Sequence, residues 1–196
     1  MNPKKLLITG FDPFGGETIN PSWEAVKALP DVIGGWQLTK LEVPTVFGKA
    51  GETVLAAAAQ LQPDAVLCVG QAGGRAAITP ELVAINLRFG RIADNAGAAP
   101  VDEPVAADGP AAYFSTLPVR AMAQAITDAG LPGQVSYSAG AFVCNDLLYT
   151  VLHHYAGTPV RAAFIHVPFL PQQAAEGVSM TLQDIQKGLC AAIAVM

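Results

Sequence analysis

Two side chains in the second half of the chain, a thiol and an imidazole, are spaced as nucleophilic catalysis would require. Cys144 lies in the run GAFVCN, between a predicted strand at 134–138 and a predicted helix at 145–155. His166 lies in FIHVPF, near the end of a predicted strand at 160–167. A cysteine becomes a catalytic nucleophile when an adjacent base takes its proton. The spacing therefore predicts a cysteine–histidine active site.

The elements around these residues should bring them to one cleft. If the segment is a β–α–β unit, its connection is right-handed and its two strands are parallel. The end of the first strand, the start of the helix and the end of the second strand then share one edge of the sheet. At a helix N-terminus, Cys144 would be favoured as the thiolate. His166 would accept the thiol proton and later protonate the leaving amine.

A cysteine–histidine pair also needs a third group that orients the imidazole, and an acidic residue is the usual choice. Glu81, Asp94 and Asp146 are all candidates, and their spacing does not select one of them. The two remaining histidines, His153 and His154, are neighbours on a predicted helix and point about 100° apart. We interpret them as surface or packing residues.

Strand-like and helix-like segments alternate along the whole chain, which is typical of an α/β fold. The predicted strands are 4–9, 36–43, 64–70, 81–89, 134–138 and 160–167. The predicted helices are 21–29, 49–61, 118–128, 145–155 and 181–195. Asn20 and Pro21 form a good helix start, a capping residue followed by proline at the first helical position. Residues 90–112 are rich in Gly, Ala, Pro and Asp and predict a long surface loop of the lid or binding type.

Glycine-rich turns at 10–16, 70–74 and 139–140 follow predicted strands, at the edge where open α/β sheets bind ligands. The run GFDPFGG resembles a phosphate loop only in its glycines, because Glu17 follows where Lys and Ser or Thr would be needed. A phosphate-dependent nucleoside-processing enzyme is therefore a weaker alternative. Phe11 and Phe14 in the first turn are interpreted as core residues when taken in isolation.

Composition excludes several classes of protein. Hydrophobic residues make up 52% of the 196 residues, charged residues make up 14%, and the net charge is −5. The mean hydropathy of +0.37 predicts a large core and a surface buried against another subunit. The few basic residues are scattered, which argues against nucleic-acid binding. No apolar run reaches the ~18 residues of a membrane span, and LLITGF is too short for an export signal.

Cysteine usage points to a reducing compartment. The three cysteines, at positions 68, 144 and 190, are far apart and lack the spacing of a metal site. Cys68 and Cys190 lie in apolar patterns and are interpreted as packing residues. We therefore expect a cytoplasmic protein without a metal.

Taken together, the motifs resemble the pyrrolidone carboxyl peptidases, also called pyroglutamyl peptidase I, a family of cysteine peptidases. The resemblance is carried in order by GFDPFGG, NPS, PELVAINLR, GRIADN, AAYFSTLP, GAFVCN and HVPFLPQQ, from residue 8 to about 173. It implies a hydrolase that removes an N-terminal 5-oxoproline from peptides through a thioester. It also implies no metal, no cofactor and a cytoplasmic homotetramer.

The resemblance also implies roles for named residues. The catalytic triad would consist of Glu81, Cys144 and His166. The substrate pocket would be formed by Phe11, Phe14, Thr45, Gln71, Ile92, Phe142 and Val143. Arg91 would lie near the reacting carbonyl. One departure is Leu82, where members of the family often have a basic residue after the glutamate.

We therefore expect a single domain over residues 1–196, a three-layer α/β/α sandwich with a twisted, mixed but mostly parallel sheet. The expected partners are peptides with N-terminal pyroglutamate, and neither nucleic acid nor a membrane. A neutral lactam ring suits a pocket of aromatic faces such as Phe11 and Phe14, with amide groups for its polar atoms. A binding module for pyroglutamyl peptides that lacks catalysis is a further alternative.

Overall fold

The computed structural model describes residues 3–174 and 177–196. Within them, helices run over Pro21–Lys27 (α1), Lys49–Leu61 (α2), Val119–Asp128 (α3), Val143–His154 (α4) and Leu182–Ala194 (α5). A short 3₁₀ helix covers Pro171–Gln173. Strands run over Lys4–Phe11 (β1), Val32–Ile33 (β2), Trp36–Val43 (β3), Ala65–Gln71 (β4), Thr79–Glu81 (β5), Val83–Ile85 (β6), Ala112–Phe114 (β7) and Arg161–Val167 (β8). No described helix is long and apolar enough to cross a membrane.

The main sheet is mixed and mostly parallel, as predicted. Its strand order is β2-β3-β1-β4-β8-β5. The four central strands pair in parallel, whereas β2 and β5 pair antiparallel at the two edges. Strands β6 and β7 form a separate antiparallel pair. The central strands β4 and β8 are buried almost throughout, which explains their continuous apolar sequences.

Helices cover both faces of the sheet and give the predicted three layers. Successive side chains of a strand point to opposite faces. Leu6 and Ile8 of β1 pack in the cluster formed with α1, α3 and α5. Leu7 and Phe11 of the same strand pack in the cluster formed with α2 and α4. The second face, which α2 and α4 cover, is the one that carries the candidate site.

The carboxyl ends of the central strands form the edge on which that site is built. In the β4–β8 ladder, Gly70 is the register partner of His166. On the other side of β8, Thr79 is the partner of His166 and Glu81 is the partner of Phe164. Register partners point to the same face, so the Glu81, Phe164 and His166 side chains share one face of the sheet.

The predicted strand at 134–138 does not form, and the predicted parallel β–α–β unit is therefore wrong. Two isolated parallel bridges form here, one between Ser136 and Glu81 of β5 and one between the preceding residues Gly133 and Ile78. Because β5 itself runs antiparallel to β8, the segment before α4 also runs antiparallel to β8. Local residue pattern predicted an extended segment correctly, but it carries no information about strand direction.

The strand predicted over 81–89 is also wrong in its length. The chain instead forms the short strands β5 and β6, which belong to different sheets, and then an irregular segment up to residue 111. The buried amide of Asn145 accepts from Ile85 N at 2.9 Å and donates to Ile85 O and Leu87 O. These hydrogen bonds occupy backbone N–H and C=O groups that a longer strand would have paired with a neighbouring strand. Strands β2 and β7 are not among the predicted strands.

Other predictions are confirmed. Strand β3 and helix α2 have the predicted bounds. Asn20 caps α1, because its side chain accepts a hydrogen bond from Ser22 N at 3.1 Å. Helix α4 begins at Val143, two residues before its predicted start, which places Cys144 inside its first turn. The long loop is bonded internally, for example from Gly90 N to Pro100 O at 2.8 Å.

Candidate active site

Glu81 and His166 form the most tightly defined contact of the site. Glu81 Oε1 lies 2.6 Å from His166 Nδ1. Glu81 is fully buried and His166 is 4% exposed, so water does not screen the contact. Strand β5 supplies the carboxylate and strand β8 supplies the imidazole. The antiparallel β5–β8 register brings both side chains to the face covered by α4.

Cys144 lies at the same edge and on the same face. A Cβ atom at Gly70 would be 3.0 Å from Cys144 Sγ and 2.6 Å from Phe164 Cζ. Gly70 is the register partner of His166, so the direction of that Cβ is also the direction of the imidazole. The thiol and the imidazole therefore face one small region above β4 and β8.

The protonation states of Glu81 and His166 allow His166 to act as a base. Burial raises the pKa of Glu81, but hydrogen bonds and charge from His166, together with Ser136 and Arg75, outweigh it and hold that pKa below its usual value. An ionised carboxylate only accepts, so His166 Nδ1 must carry the hydrogen. Burial lowers the pKa of His166 below 6.5 despite the opposing effect of Glu81. The imidazole is therefore neutral near pH 7, with Nε2 free to accept a proton.

Burial opposes the thiolate that the helix N-terminus is expected to favour at Cys144. Burial raises the pKa of the Cys144 thiol to about 12, and the negative charge of Glu81 acts in the same direction. A helix N-terminus contributes at most about 2 kcal/mol in a partly buried geometry, which is too little to offset this desolvation. The resting site thus holds a neutral thiol and a neutral imidazole, and the proton must transfer as the sulfur reacts.

The first turn of α4 can also stabilise an anion. In a helix the first N–H groups have no intrahelical acceptor. Here Asp146 N is the first to find one, at Phe142 O. The N–H groups of Val143, Cys144 and Asn145 precede it, and Phe142 provides no side-chain cap. These donors surround the thiol, where an oxyanion would form.

Three aromatic rings lie beside this turn. The Phe14 and Phe142 ring centroids are 5.8 Å apart, and the Phe47 ring meets Phe142 edge-on at 5.1 Å. Phe14 and Phe142 are partly exposed, so their faces can meet a ligand. Gln71, at the end of β4, is also partly exposed and carries an amide that can bond a polar ligand atom. Phe47 is an aromatic residue that the sequence did not single out.

The remaining residues assigned to the pocket are less uniform in exposure. Phe11, Thr45 and Val143 are buried, and Phe11 packs against Phe164 with ring centroids 6.2 Å apart. Phe11 thus has the core position that its residue type favours. Arg91 and Ile92 lie exposed on the long loop.

The other two acidic candidates serve the scaffold. Asp94 accepts from the backbone N–H groups of Phe47, Ala96 and Ala98, and so holds a turn of the long loop against the aromatic cluster. Asp146 is fully buried, bonds Arg88 Nε at 2.5 Å and accepts from a backbone N–H of the loop before α2. Neither makes a hydrogen bond to the His166 ring in the described residues.

Arg75 is the main site residue that sequence reasoning missed. Its guanidinium lies 2.7 Å from Glu81 Oε1. The signal available was a lone cation in the glycine-rich run GQAGGR at the ligand-binding edge. Leu82, which departs from the family pattern, is partly buried against the apolar cluster of α1, α3 and α5. No group of three or more His, Cys, Asp or Glu within residues 3–174 and 177–196 is arranged to hold a metal ion.

Comparison with known proteins agrees with this architecture. The sequence profile described as Pyroglutamyl peptidase matches residues 4–196. A pyrrolidone-carboxylate peptidase from Levilactobacillus brevis is 58% identical over 194 residues, covering 96% of this chain and 95% of that protein. One from Enterococcus faecalis is 53% identical, covering 94% of this chain and 89% of that protein.

Solved structures give the same relationship. Pyroglutamyl peptidase I from Bacillus amyloliquefaciens superposes with a TM-score of 0.95 at 47% identity, covering 98% of this chain and 96% of that one. A variant of pyrrolidone carboxyl peptidase from Pyrococcus furiosus superposes with a TM-score of 0.93 at 39% identity, covering 97% of each chain. The chain therefore belongs to the pyroglutamyl peptidase family.

Proposed function

We propose that this protein is a cysteine peptidase that removes an N-terminal 5-oxoproline residue from peptides, with Cys144, His166 and Glu81 as its triad. The observation that carries the proposal is the contact between Glu81 and His166 at the edge where Cys144 Sγ lies. Family membership supports the choice of substrate, because the related proteins are named pyrrolidone-carboxylate peptidases.

The first half-reaction uses the neutral pair. Cys144 Sγ attacks the pyroglutamyl carbonyl carbon while His166 Nε2 accepts the thiol proton. The oxyanion that develops is bound by N–H groups of the first turn of α4, including that of Cys144. His166 then gives its proton to the amine nitrogen as the C–N bond breaks. The shortened peptide leaves, and the pyroglutamyl group stays on sulfur as a thioester.

The second half-reaction returns the site to its resting state. A water molecule loses a proton to His166 and its oxygen attacks the thioester carbonyl. The C–S bond breaks, the sulfur takes the proton back from His166, and pyroglutamic acid is released. Throughout, the ionised Glu81 holds Nδ1–H and stabilises the imidazolium that forms in each half.

The pocket suits a substrate that lacks a charged amino terminus. Pyroglutamate is a neutral lactam, so the acidic anchor of an ordinary aminopeptidase would have nothing to bind. The exposed faces of Phe14 and Phe142 offer apolar contact to its ring. The Gln71 amide and neighbouring backbone groups can pair with the lactam N–H and C=O, which would otherwise cost about 1–3 kcal/mol each.

We also propose that the protein works in the cytoplasm as a homotetramer. Large apolar side chains on the surface support self-association, among them Val101, Phe114 and Tyr137, which are 65%, 69% and 62% exposed. Light scattering behind size exclusion should give a mass four times the 20.3 kDa of the chain. A monomeric mass at micromolar concentration would contradict the tetramer and leave the proposed chemistry untouched.

Turnover of a fluorogenic pyroglutamyl amide tests the activity. We expect hydrolysis by the wild-type protein, none by Cys144→Ala, and wild-type rates for the matched control Cys190→Ala, whose thiol lies on α5. The corresponding prolyl amide, which lacks the lactam carbonyl, should react far more slowly. Substantial turnover by a folded Cys144→Ala protein, tight binding without turnover, or turnover of nucleosides that requires phosphate would each refute the proposal.

A further inference from the structure

Arg75 contacts the same carboxylate oxygen as the candidate base. Its Nη1 lies 2.7 Å from Glu81 Oε1, and His166 Nδ1 lies 2.6 Å from that oxygen. Arg75 Nη1 is also 2.8 Å from Thr79 Oγ1. Glu81 is fully buried, whereas the Arg75 side chain is 32% exposed. Arg75 thus forms an ion pair with the buried Glu81 carboxylate from the side that faces solvent.

The second arm of the guanidinium reaches another part of the site. Arg75 Nη2 donates to Ser138 O at 3.1 Å, and Nη1 lies 3.3 Å from Ser136 Oγ. Ser138 is five residues before Val143, the first residue of α4, which carries Cys144 in its first turn. One planar side chain therefore joins the triad carboxylate to the segment that leads to the nucleophile.

We propose that Arg75 is a positioning residue of this site, which fixes the Glu81 carboxylate against His166 and ties the segment 136–138 to it. The inference rests on the proposed function, because it assigns Arg75 a part in that same triad. Arginine suits the role because its planar fork serves two acceptors in a fixed geometry, which a lysine ammonium does not. The turn that precedes it contains Gly74 at a φ of +82° and is closed by a hydrogen bond from Arg75 N to Ala72 O at 3.3 Å.

The charge of Arg75 has a defined electrical consequence. The charged and titratable groups that act on His166 are Glu81 and Arg75. From the α4 side, Cys144 lies against Gly70, the register partner of His166. Burial has the largest effect and lowers the pKa of His166. Glu81 opposes this effect, and the positive charge of Arg75 lowers the pKa further. Arg75 also lowers the pKa of Glu81. Without this cation both groups would bind protons more tightly, and His166 would lose its basic form at a higher pH.

The guanidinium is accessible from outside the catalytic cleft. A cavity of about 350 Å³ lies against it, lined among others by Thr79, Gln134, Ser136 and Tyr137. A small cation can therefore reach the position of the guanidinium when the side chain is truncated. This access makes chemical rescue a practical test.

The first test compares Arg75→Met and Arg75→Lys with wild type, using Arg120→Met as the matched control because Arg120 is exposed on α3. We expect kcat of Arg75→Met to fall about 10²-fold with little change in KM, as for a lost positioning contact. The acid limb of its kcat/KM profile should move to higher pH. Arg75→Lys keeps the charge, so its acid limb should stay near that of wild type while kcat still falls.

The second test is rescue of Arg75→Ala by millimolar guanidinium. We expect guanidinium to raise kcat several-fold, and equal concentrations of ammonium or urea to have little effect, because only the planar cation restores both contacts. The wild-type protein and Arg120→Met should not respond. Rescue depends on a folded protein, so thermal unfolding of each variant is measured alongside.

The outcomes separate this inference from the proposed function. If wild type lacks turnover, or folded Cys144→Ala retains it, the proposed function fails and the inference fails with it. If wild type is active and Arg75→Met keeps its kcat, the positioning role is refuted. The role is equally refuted if Arg75→Met loses activity with an unmoved acid limb and guanidinium does not rescue Arg75→Ala, because the residue would then serve stability alone.

Discussion

Gly70 and Cys144 are in direct contact at the carboxyl end of β4, since a Cβ atom at Gly70 would lie 3.0 Å from Cys144 Sγ. The glycine thereby leaves room for the thiol on the face of the sheet that His166 occupies. The same Cβ would lie 2.6 Å from the Phe164 ring, which is buried and cannot move away freely. A glycine at this register position is a requirement of the site.

Gly70→Ala should therefore displace Cys144 or Phe164. A shift of about 1 Å in a reacting group can cost about 10²-fold in rate, and overpacking costs about 1–3 kcal/mol of stability. We expect kcat to fall by about that factor with a modest loss in urea midpoint. Gly177→Ala is the control, because among residues 3–174 and 177–196 its Cβ would meet just Ala174 Cβ, at an ordinary 3.4 Å. Wild-type kcat in Gly70→Ala would contradict the placement of the thiol.

Glu81→Gln should separate orientation of His166 from its charge stabilisation. The carboxamide keeps the shape of the side chain but loses the negative charge that favours the imidazolium. We expect kcat to fall by about 10²–10⁴-fold, as for loss of a group that supports the general base. Glu52→Gln, exposed on α2, is the matched control and should have wild-type kcat. A fall of less than threefold in Glu81→Gln would argue against the triad.

The pH profile of kcat/KM should report the neutral base. Burial holds the pKa of His166 below 6.5, so its basic form persists into weakly acidic solution. We expect activity to decline on the acid side only below pH 6.5, as His166 takes up a proton. Glu81→Gln should move this limb to lower pH, the direction opposite to that expected for Arg75→Met. If the acid limbs of Glu81→Gln and Arg75→Met moved in the same direction, the opposite effects of the two charges on the pKa of His166 would be contradicted.

Asp146→Asn should destabilise the start of α4. The Asp146 carboxylate is fully buried, and the substitution leaves the Arg88 guanidinium without its counter-charge. Breaking a fully buried pair costs about 3–5 kcal/mol. Because Arg88 is 23% exposed, we expect about 2–3 kcal/mol from urea unfolding. Asp128→Asn, at an exposed position at the end of α3, should change stability by less than about 0.5 kcal/mol.

Alkaline conditions should weaken the fold through Cys68 and Cys144. Burial raises the pKa of each thiol from 9.0 to about 12 in the folded protein. A raised folded-state pKa means that the stability is complete below pH 9.0 and is lost as the pH rises towards about 12. The double variant Cys68→Ala, Cys144→Ala should lose less stability than wild type over this window. If urea unfolding showed equal losses of stability in the wild type and the double variant, the thiols would not titrate as described.

Residue patterns were enough to locate most elements and the two reacting groups. The apolar runs of β4 and β8, the bounds of β3 and α2, and the Asn20 cap all depend on neighbours close in the chain. Such short-range preferences are readable in order along the sequence. The residue pattern also singled out Cys144 and His166, although the parallel β–α–β unit that was expected to bring them to one edge does not form.

Strand direction and the choice of acid could not be predicted in this way. The segment at 134–138 runs parallel to β5 and antiparallel to β8. Its partner in β5 lies more than fifty residues away in the chain, so the local residue pattern does not reveal this direction. Asp94 and Asp146 are acidic residues like Glu81. The Asp94 carboxylate, however, accepts hydrogen bonds from backbone N–H groups, and the Asp146 carboxylate accepts one from Arg88. Only the antiparallel β5–β8 register brings one of the three acids to His166.

The sequence by itself thus determined which residues can react, through their types and through local patterns that set where strands and helices begin and end. The tertiary structure decided which acid meets His166, that Arg75 shares its oxygen, and that Cys144 rests as a thiol. These properties arise from desolvation and from charges brought together by distant segments. Their energies depend on distances in space, which local sequence preferences do not encode.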